Sequence, residues 1–218
     1  MLDFFGCFQL AGLALFLGIF LGRTLHLRIR DRITAITLGV GGKGWRGLVE
    51  LALFVQVNVW AAEVILYSIG ANFHLFPWPL DIHLIDSLPV KLVGAALILL
   101  GLALFIKAMI DLGTSWRLGI DERSPGRLVT SGIYALSRHP IYLFFDLYFL
   151  GAFLINGALI FLLFVVLMAL NLHLQILLEE SFLLKVHGGA YQAYCARTSR
   201  YLGRRWGLTR RPRPEESV

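Results

Sequence analysis

An apolar stretch from residue 141 to residue 178 constrains the fold of this chain more than any other feature. It is nearly forty residues long and holds few charged side chains. A helix needs about 20 apolar residues to cross the hydrocarbon core of a bilayer, so this stretch is too long for one crossing. Asn156-Gly157 near its middle is a turn signal. We therefore predict a hairpin of two membrane helices, at residues 141–154 and 158–178.

Three further apolar stretches, at residues 4–21, 48–69 and 89–110, are also long enough to cross a bilayer. The composition agrees, since only 16% of the 218 residues are charged, whereas soluble domains have about 25%. The chain begins MLDFF, with an acid where a cleavable signal peptide has a positive charge, so we expect the first stretch to be retained. The predicted fold is an all-α, polytopic membrane helical bundle with about five transmembrane helices.

Basic residues predict the orientation of this bundle in the lipid bilayer. Residues 22–47, 111–138 and 185–213 carry six, four and eight of the 20 Lys and Arg, and the loop at 70–88 carries none. Five spans with the N-terminus outside place all three segments on one side, which the positive-inside rule makes cytoplasmic. The net charge of +6 then reflects orientation and anionic headgroups, and predicts no nucleic-acid partner. The short chain favours the inner membrane of a bacterium or archaeon.

We predict three parts. Residues 1–110 form three N-terminal helices with a basic loop, residues 111–203 form a C-terminal core, and residues 204–218 form a basic tail that we expect to be disordered. The letters GVGGKG at 39–44 match G-x-G-x-x-G, but they lie between membrane helices and not in a βαβ unit, which predicts an ordinary loop. Cys7 and Cys195 have no C-x-x-C spacing, so we predict no metal site.

Polar residues concentrate at the predicted cytoplasmic end of the hairpin. In SGIYALSRHPIYLFF, at 131–145, Pro140 suits the first turn of a helix. A helix start attracts anions, and Arg138 and His139 add donors there. At the end of the second hairpin helix stand Glu179 and Glu180, where the helix dipole disfavours negative charge.

The two acids therefore need a cation, either Arg138 or the ammonium group of a ligand. Because a hairpin brings its two ends to the same depth, the residues predict a site for a zwitterion. Tyr134 and Tyr142 would add aromatic surface. The alternative is an interfacial Arg–Glu pair that closes the bundle, with the tyrosines anchored at the interface.

These motifs resemble those of a known family. G-x-Y-x-x-x-R-H-P-x-Y, followed by E-E-x-x-L-x-x-x-x-G-x-x-Y-x-x-Y, is similar to the isoprenylcysteine carboxyl methyltransferases, and phospholipid methyltransferases share a related pattern. The resemblance covers about residues 116–201. The matching residues are Gly132, Tyr134, Arg138, His139, Pro140, Tyr142, Glu179, Glu180, Leu183, Gly188, Tyr191 and Tyr194.

The resemblance implies a methyltransferase that binds S-adenosylmethionine at the cytoplasmic ends of the last helices and methylates a lipophilic or small acceptor. It implies that Glu179 holds the α-amine of the cofactor. Arg138 and His139 are candidates for positioning, and no general base is assigned. The implied cofactor-binding residues are Gly126, Arg127, Leu128, Val129, Tyr134, His139, Pro140, Ile141, Tyr142 and Glu179.

One position departs from the family pattern. The prenylcysteine enzymes have an arginine four residues before the glutamate pair, where this chain has Gln175, with His173 nearby. A neutral amide weakens the case for a carboxylate substrate and favours a lipid, a small thiol or a phenol. Gln175, His173 and Glu180 are the candidate substrate-binding residues.

Two alternatives remain open. Membrane sterol reductases share the R-H-P-x-Y stretch and bind a phosphorylated nicotinamide dinucleotide. The sequence SWRLGID at 115–121 slightly favours this alternative. The glutamate pair disfavours it, because acids suit an ammonium better than a phosphate. A non-catalytic membrane scaffold leaves the clustered polar residues unexplained.

Overall fold

The computed structural model of the protein describes residues 3–30, 32, 44–76, 78–116 and 126–203. Three predictions concern segments that lie outside these ranges: the GVGGKG loop before Gly44, the SWRLGID stretch after Trp116, and the tail at 204–218.

The described residues form five α-helices and no strand. These are α1 (Phe4–Arg30), α2 (Trp45–Ser68), α3 (Leu88–Leu112), α4 (Pro140–Asn156) and α5 (Leu159–Arg197). Four of them are long and apolar enough to cross a membrane, and α4 is a shorter apolar helix. The prediction of an all-α polytopic membrane bundle is confirmed.

Helix α5 extends well beyond its predicted end at residue 178. It has 39 residues, interrupted by the non-helical backbone of Gly188. At 1.5 Å per residue, it is about twice as long as the roughly 30 Å hydrocarbon core is thick. The apolar sequence ends at Leu178, so we take residues 159–178 as the membrane-spanning part. The prediction stopped where polarity changes, but good helix formers such as Leu, Lys and Ala continue the helix past that point.

The predicted turn of the hairpin is confirmed at Asn156-Gly157. Gly157 has a φ of 69°, in the left-handed region, and its N–H donates to the Phe153 carbonyl at 2.7 Å. Its own carbonyl accepts the N–H of Leu84 at 2.7 Å. A Cβ at this position would lie only 1.8 Å from the Ile85 carbonyl oxygen, so only glycine fits.

Close packing of α3 against α4 fixes the hairpin in the bundle. A Cβ on Gly94 would lie 2.6 Å from the Gly151 carbonyl oxygen, and one on Gly151 would lie 2.6 Å from the Gly94 carbonyl oxygen. Such pairs of small residues let membrane helices approach closely. Nearer the start of α4, Phe144 packs against Phe105 and Phe16, with ring centroids 4.7 and 5.2 Å away. The first turn of α4 is therefore held firmly in place.

Candidate active site

The start of α4 meets the end of the membrane-spanning part of α5. Pro140 is at the first helical position of α4, as predicted, and the preceding His139 is buried. The His139 N–H donates to Ser137 Oγ at 3.1 Å, and the Arg138 N–H donates to the Ser199 carbonyl at 3.1 Å. The backbone on both sides of His139 is thus tied to its surroundings.

Glu180 is the centre of an ion-pair cluster at this junction. Its Oε1 lies 3.2 Å from His139 Nε2 and 3.0 Å from Arg138 Nη2. Arg200 donates to both oxygens, from Nε at 3.0 Å and from Nη2 at 2.7 Å. Burial alone would raise the pKa of Glu180, but hydrogen bonds with His139 and Arg200 and the charge of Arg138 lower it to about 2. Glu180 is therefore ionised at neutral pH and joins α4, α5 and the segment after α5 through its ion pairs.

Glu179 has a very different environment from its neighbour. Tyr142 Oη donates to its Oε2 at 2.8 Å, and His139 Nδ1 lies 3.6 Å away. Within the described residues, no Lys or Arg side chain pairs with it, and 33% of its side chain is exposed. Glu179 therefore presents a negative charge that a cationic ligand can reach.

Aromatic side chains surround Glu179. The rings of His139 and Tyr142 stack with centroids 5.4 Å apart. Tyr134 is buried, and burial followed by the charge of Glu179 raises the pKa of its hydroxyl. Its carbonyl accepts a hydrogen bond from Tyr194 Oη at 2.6 Å. The structure thus brings the two motif halves together at one place.

Arg138 is already engaged within the protein. Its Nη2 pairs with Glu180, and its Nη1 contacts the sulfur of Cys195. The interfacial Arg–Glu pair considered from the sequence is therefore present, although it uses Glu180, and no arginine of the described ranges pairs with Glu179. This placement disfavours Arg138 as the group that holds an incoming carboxylate.

The helix start also offers fewer donors than expected. Pro140 has no N–H, and the N–H groups of Tyr142 and Leu143 donate to the His139 carbonyl at 3.1 and 3.2 Å. Within the described structure, the N–H of Ile141 is therefore the one backbone donor in the first turn of α4 that has no acceptor and could bind an anion.

The remaining predicted cofactor residues precede the motif. Gly126 packs against the end of α3, where an added Cβ would lie 3.0 Å from the Ser115 carbonyl oxygen. Arg127 is exposed, and Leu128 and Val129 are half-buried. In the described part of the chain, no hydrogen bond joins these four residues to the acids.

Two of the predicted substrate residues on α5, Gln175 and His173, lie on different faces of the helix. Gln175 is buried one turn before Glu179, and its Oε1 has no hydrogen-bond partner in the described structure. His173 is exposed, and its Nδ1 lies 2.9 Å from Tyr201 Oη. The structure thus places Gln175 beside the candidate site and His173 on another face of the helix.

Comparison with known protein families identifies the C-terminal part of the chain. Residues 90–190 match the family model described as phospholipid methyltransferase. The matched region contains α4, the first motif half and the start of the second half as far as Gly188, and it ends before Tyr191 and Tyr194. This region belongs to the phospholipid methyltransferase family. Together with its membrane helices, this makes the protein a membrane methyltransferase. No curated protein matches the chain.

One element of this methyltransferase is not predictable from the sequence. The chain after α5, residues 198–203, folds back over the start of α4, where the Gly203 N–H donates to the Leu136 carbonyl at 3.0 Å. Arg200 on this segment pairs with Glu180, and that hydrogen bond raises the pKa of Arg200. In the sequence, Arg200 is one of several tail arginines, and no local signal distinguishes it.

Proposed function

We propose that this membrane methyltransferase uses S-adenosylmethionine and that Glu179 binds the α-amine of the cofactor. The observation that best supports this proposal is that two adjacent acids differ in their ion pairing and exposure. Glu180 is neutralised by Arg138 and Arg200, whereas Glu179 is partly exposed and, among the described residues, has its polar contacts with Tyr142 and His139. A charge that would be unfavourable at a helix C-terminus is stabilised by a bound ammonium.

The residues present fit the cofactor. We assign Glu179 to its ammonium, the Ile141 N–H to its carboxylate, and Tyr134 and Tyr142 to aromatic surface for its remaining parts. When bound, the cofactor supplies a methyl group on a positively charged sulfur. We assign Gly126, Arg127, Leu128, Val129, His139 and Pro140 to the walls of the same pocket.

The protein's own contribution is orientation and exclusion of water. His139 is only 5% exposed and Tyr134 only 7%, and a water-poor site strengthens the electrostatic interactions within it. Holding two reactants in a fixed geometry lowers the barrier without a general base. His139 is held by Glu180, so we assign it a positioning role together with Arg138.

The acceptor that we propose is lipophilic or small. Gln175 is neutral and buried beside Tyr142, so it offers no charge for a carboxylate. We further propose that the site faces the cytoplasm, because all three basic segments then lie on the positive side of the membrane.

Calorimetric titration of the detergent-solubilised protein tests the cofactor. We expect S-adenosylmethionine to bind and Glu179→Ala to weaken it by at least about 30-fold, or about 2 kcal/mol. Asp86→Ala, a surface change outside the site, should leave the affinity unchanged. Binding of NADPH alone would instead support a reductase, and binding of neither cofactor would support a non-catalytic scaffold.

A further inference from the structure

Asp111 is an acid in the last turn of α3, outside both motif halves. The dipole of a helix disfavours negative charge at its C-terminus, so an acid in that turn needs compensation. The ammonium of Lys107, one turn earlier in α3, pairs with Asp111 Oδ1. The side chain of Asp111 is only 14% exposed, whereas that of Lys107 is 53% exposed. The carboxylate of Asp111 is therefore packed against the protein and not turned to solvent.

The other carboxylate oxygen of Asp111 binds the backbone of the first motif half. The Ile133 N–H donates to Asp111 Oδ2 at 2.7 Å. The preceding residue, Gly132, has a φ of 62°, in the left-handed region, and an added Cβ there would lie 2.1 Å from the same oxygen. Only glycine therefore fits between the motif and Asp111. This contact gives a physical reason for the glycine of G-x-Y.

The turn that Asp111 binds carries Tyr134. This residue lies in the 3-10 turn Gly132–Ala135 and is buried. Its carbonyl accepts a hydrogen bond from Tyr194 Oη of α5 at 2.6 Å. The turn is thus held from two sides, by α3 and by α5. Burial raises the pKa of the Tyr134 hydroxyl, and the charges of Glu179 and Asp111 raise it further, so both carboxylates lie close enough to act on the same side chain.

We propose that Asp111 is a positioning residue for the cofactor: the hydrogen bond that it accepts from the Ile133 N–H holds Tyr134 in the wall of the pocket. This inference rests on the proposed function and adds to it a residue on α3. Asp111 itself does not touch the cofactor. When the acceptor is lost, the hydrogen bond from Tyr194 still holds the turn on the side of α5, and the ring of Tyr134 is free to leave its place on the side of α3.

Calorimetric titration of the detergent-solubilised protein with S-adenosylmethionine tests the proposal. Asp111→Ala removes the acceptor and should weaken binding about tenfold, the effect expected of one hydrogen bond. Asp111→Asn keeps an acceptor oxygen at the same place and should bind within about twofold of the wild type. Lys107→Met removes the ion pair but not the hydrogen bond, and should bind as tightly as the wild type.

Tyr67→Phe is the matched control for a loss of stability. It removes the hydrogen bond that Tyr67 donates to Asp81. Tyr67 lies at the end of α2 that leads into the loop before α3, and Asp111 lies at the opposite end of α3. Tyr67→Phe should therefore lower the melting temperature without changing the affinity for S-adenosylmethionine.

Fluorine NMR supplies a measurement that needs no cofactor. In protein labelled with fluorotyrosine, the resonance of Tyr134 is assigned by its loss in Tyr134→Phe. In the cofactor-free protein, Asp111→Ala should shift or broaden this resonance, and Asp111→Asn should leave it in place. Gly132→Ala approaches the same contact from the motif, because its added Cβ would displace the Asp111 carboxylate. It should reproduce both the change in the resonance and the loss of affinity.

Three results would each overturn the proposal. They are wild-type affinity in Asp111→Ala, an equal loss of affinity in Tyr67→Phe, and a Tyr134 resonance that Asp111→Ala leaves unchanged. A wild-type protein that binds no S-adenosylmethionine, but whose Tyr134 resonance moves in Asp111→Ala, would contradict the proposed cofactor and support the positioning of Tyr134 by Asp111.

Discussion

Replacing Glu180 by glutamine should destabilise the protein far more than the same change at Glu179. Glu180 receives four contacts of 3.2 Å or less from Arg138, His139 and Arg200. Removing one partner of a buried ion pair costs roughly 3–5 kcal/mol. Arg200 is 34% exposed, which weakens its share, so we expect about 3 kcal/mol. Among the described residues, Glu179 has one hydrogen bond, from Tyr142, and its replacement should cost about 1 kcal/mol or less.

Thermal unfolding in detergent, followed by near-ultraviolet circular dichroism, measures this difference. About 3 kcal/mol corresponds to a fall of roughly 6–12 °C for a chain of this size. In calorimetry the order should reverse, because Glu179→Gln removes the charge that we propose binds the cofactor's ammonium and should leave the fold intact. If the two variants unfold at the same temperature, the assignment of a structural role to Glu180 and a binding role to Glu179 is wrong.

Three further outcomes follow from the structure. Tyr142→Phe removes the hydroxyl that bonds to the neighbouring carboxylate, and calorimetry should show about tenfold weaker cofactor binding. Gly151→Leu forces α3 away from α4 and should cost about 3 kcal/mol in thermal unfolding, whereas Gly18→Leu, where no atom lies within 4 Å of an added Cβ, should be nearly neutral. The pKa of Glu180 is lower in the folded protein than its ordinary value of 4.5, so its contribution to stability is complete above pH 4.5 and is lost as the pH falls through about 2. A melting temperature that already falls between pH 7 and 5.5 in the wild type, but not in Glu180→Gln, would contradict this.

The sequence was enough to predict the helices and the meeting of the motifs. Hydrophobic length gave the spans, and Asn156-Gly157 gave the turn, because a left-handed residue at that point needs glycine. The hairpin then brings Glu179 to His139 by connectivity alone. Helix ends were less accurate, as α5 shows, because helix propensity continues past the point at which the sequence becomes polar.

The residue pattern by itself does not distinguish Glu179 from Glu180, and only the family resemblance gave them different roles. They are adjacent and chemically identical, and what separates them is Arg200, which reaches Glu180 only because the chain after α5 folds back. Long-range contacts of this kind leave no local pattern.

An experimental structure of the protein with S-adenosylhomocysteine, the demethylated form of the proposed cofactor, tests the central claim most directly. It shares the amino-acid part that Glu179 is proposed to bind. We predict that its α-amine lies within hydrogen-bonding distance of the Glu179 carboxylate, with Glu180 still paired to Arg138 and Arg200. Density for the ligand elsewhere, or an α-amine held by other residues while Glu179 faces solvent, would contradict the account.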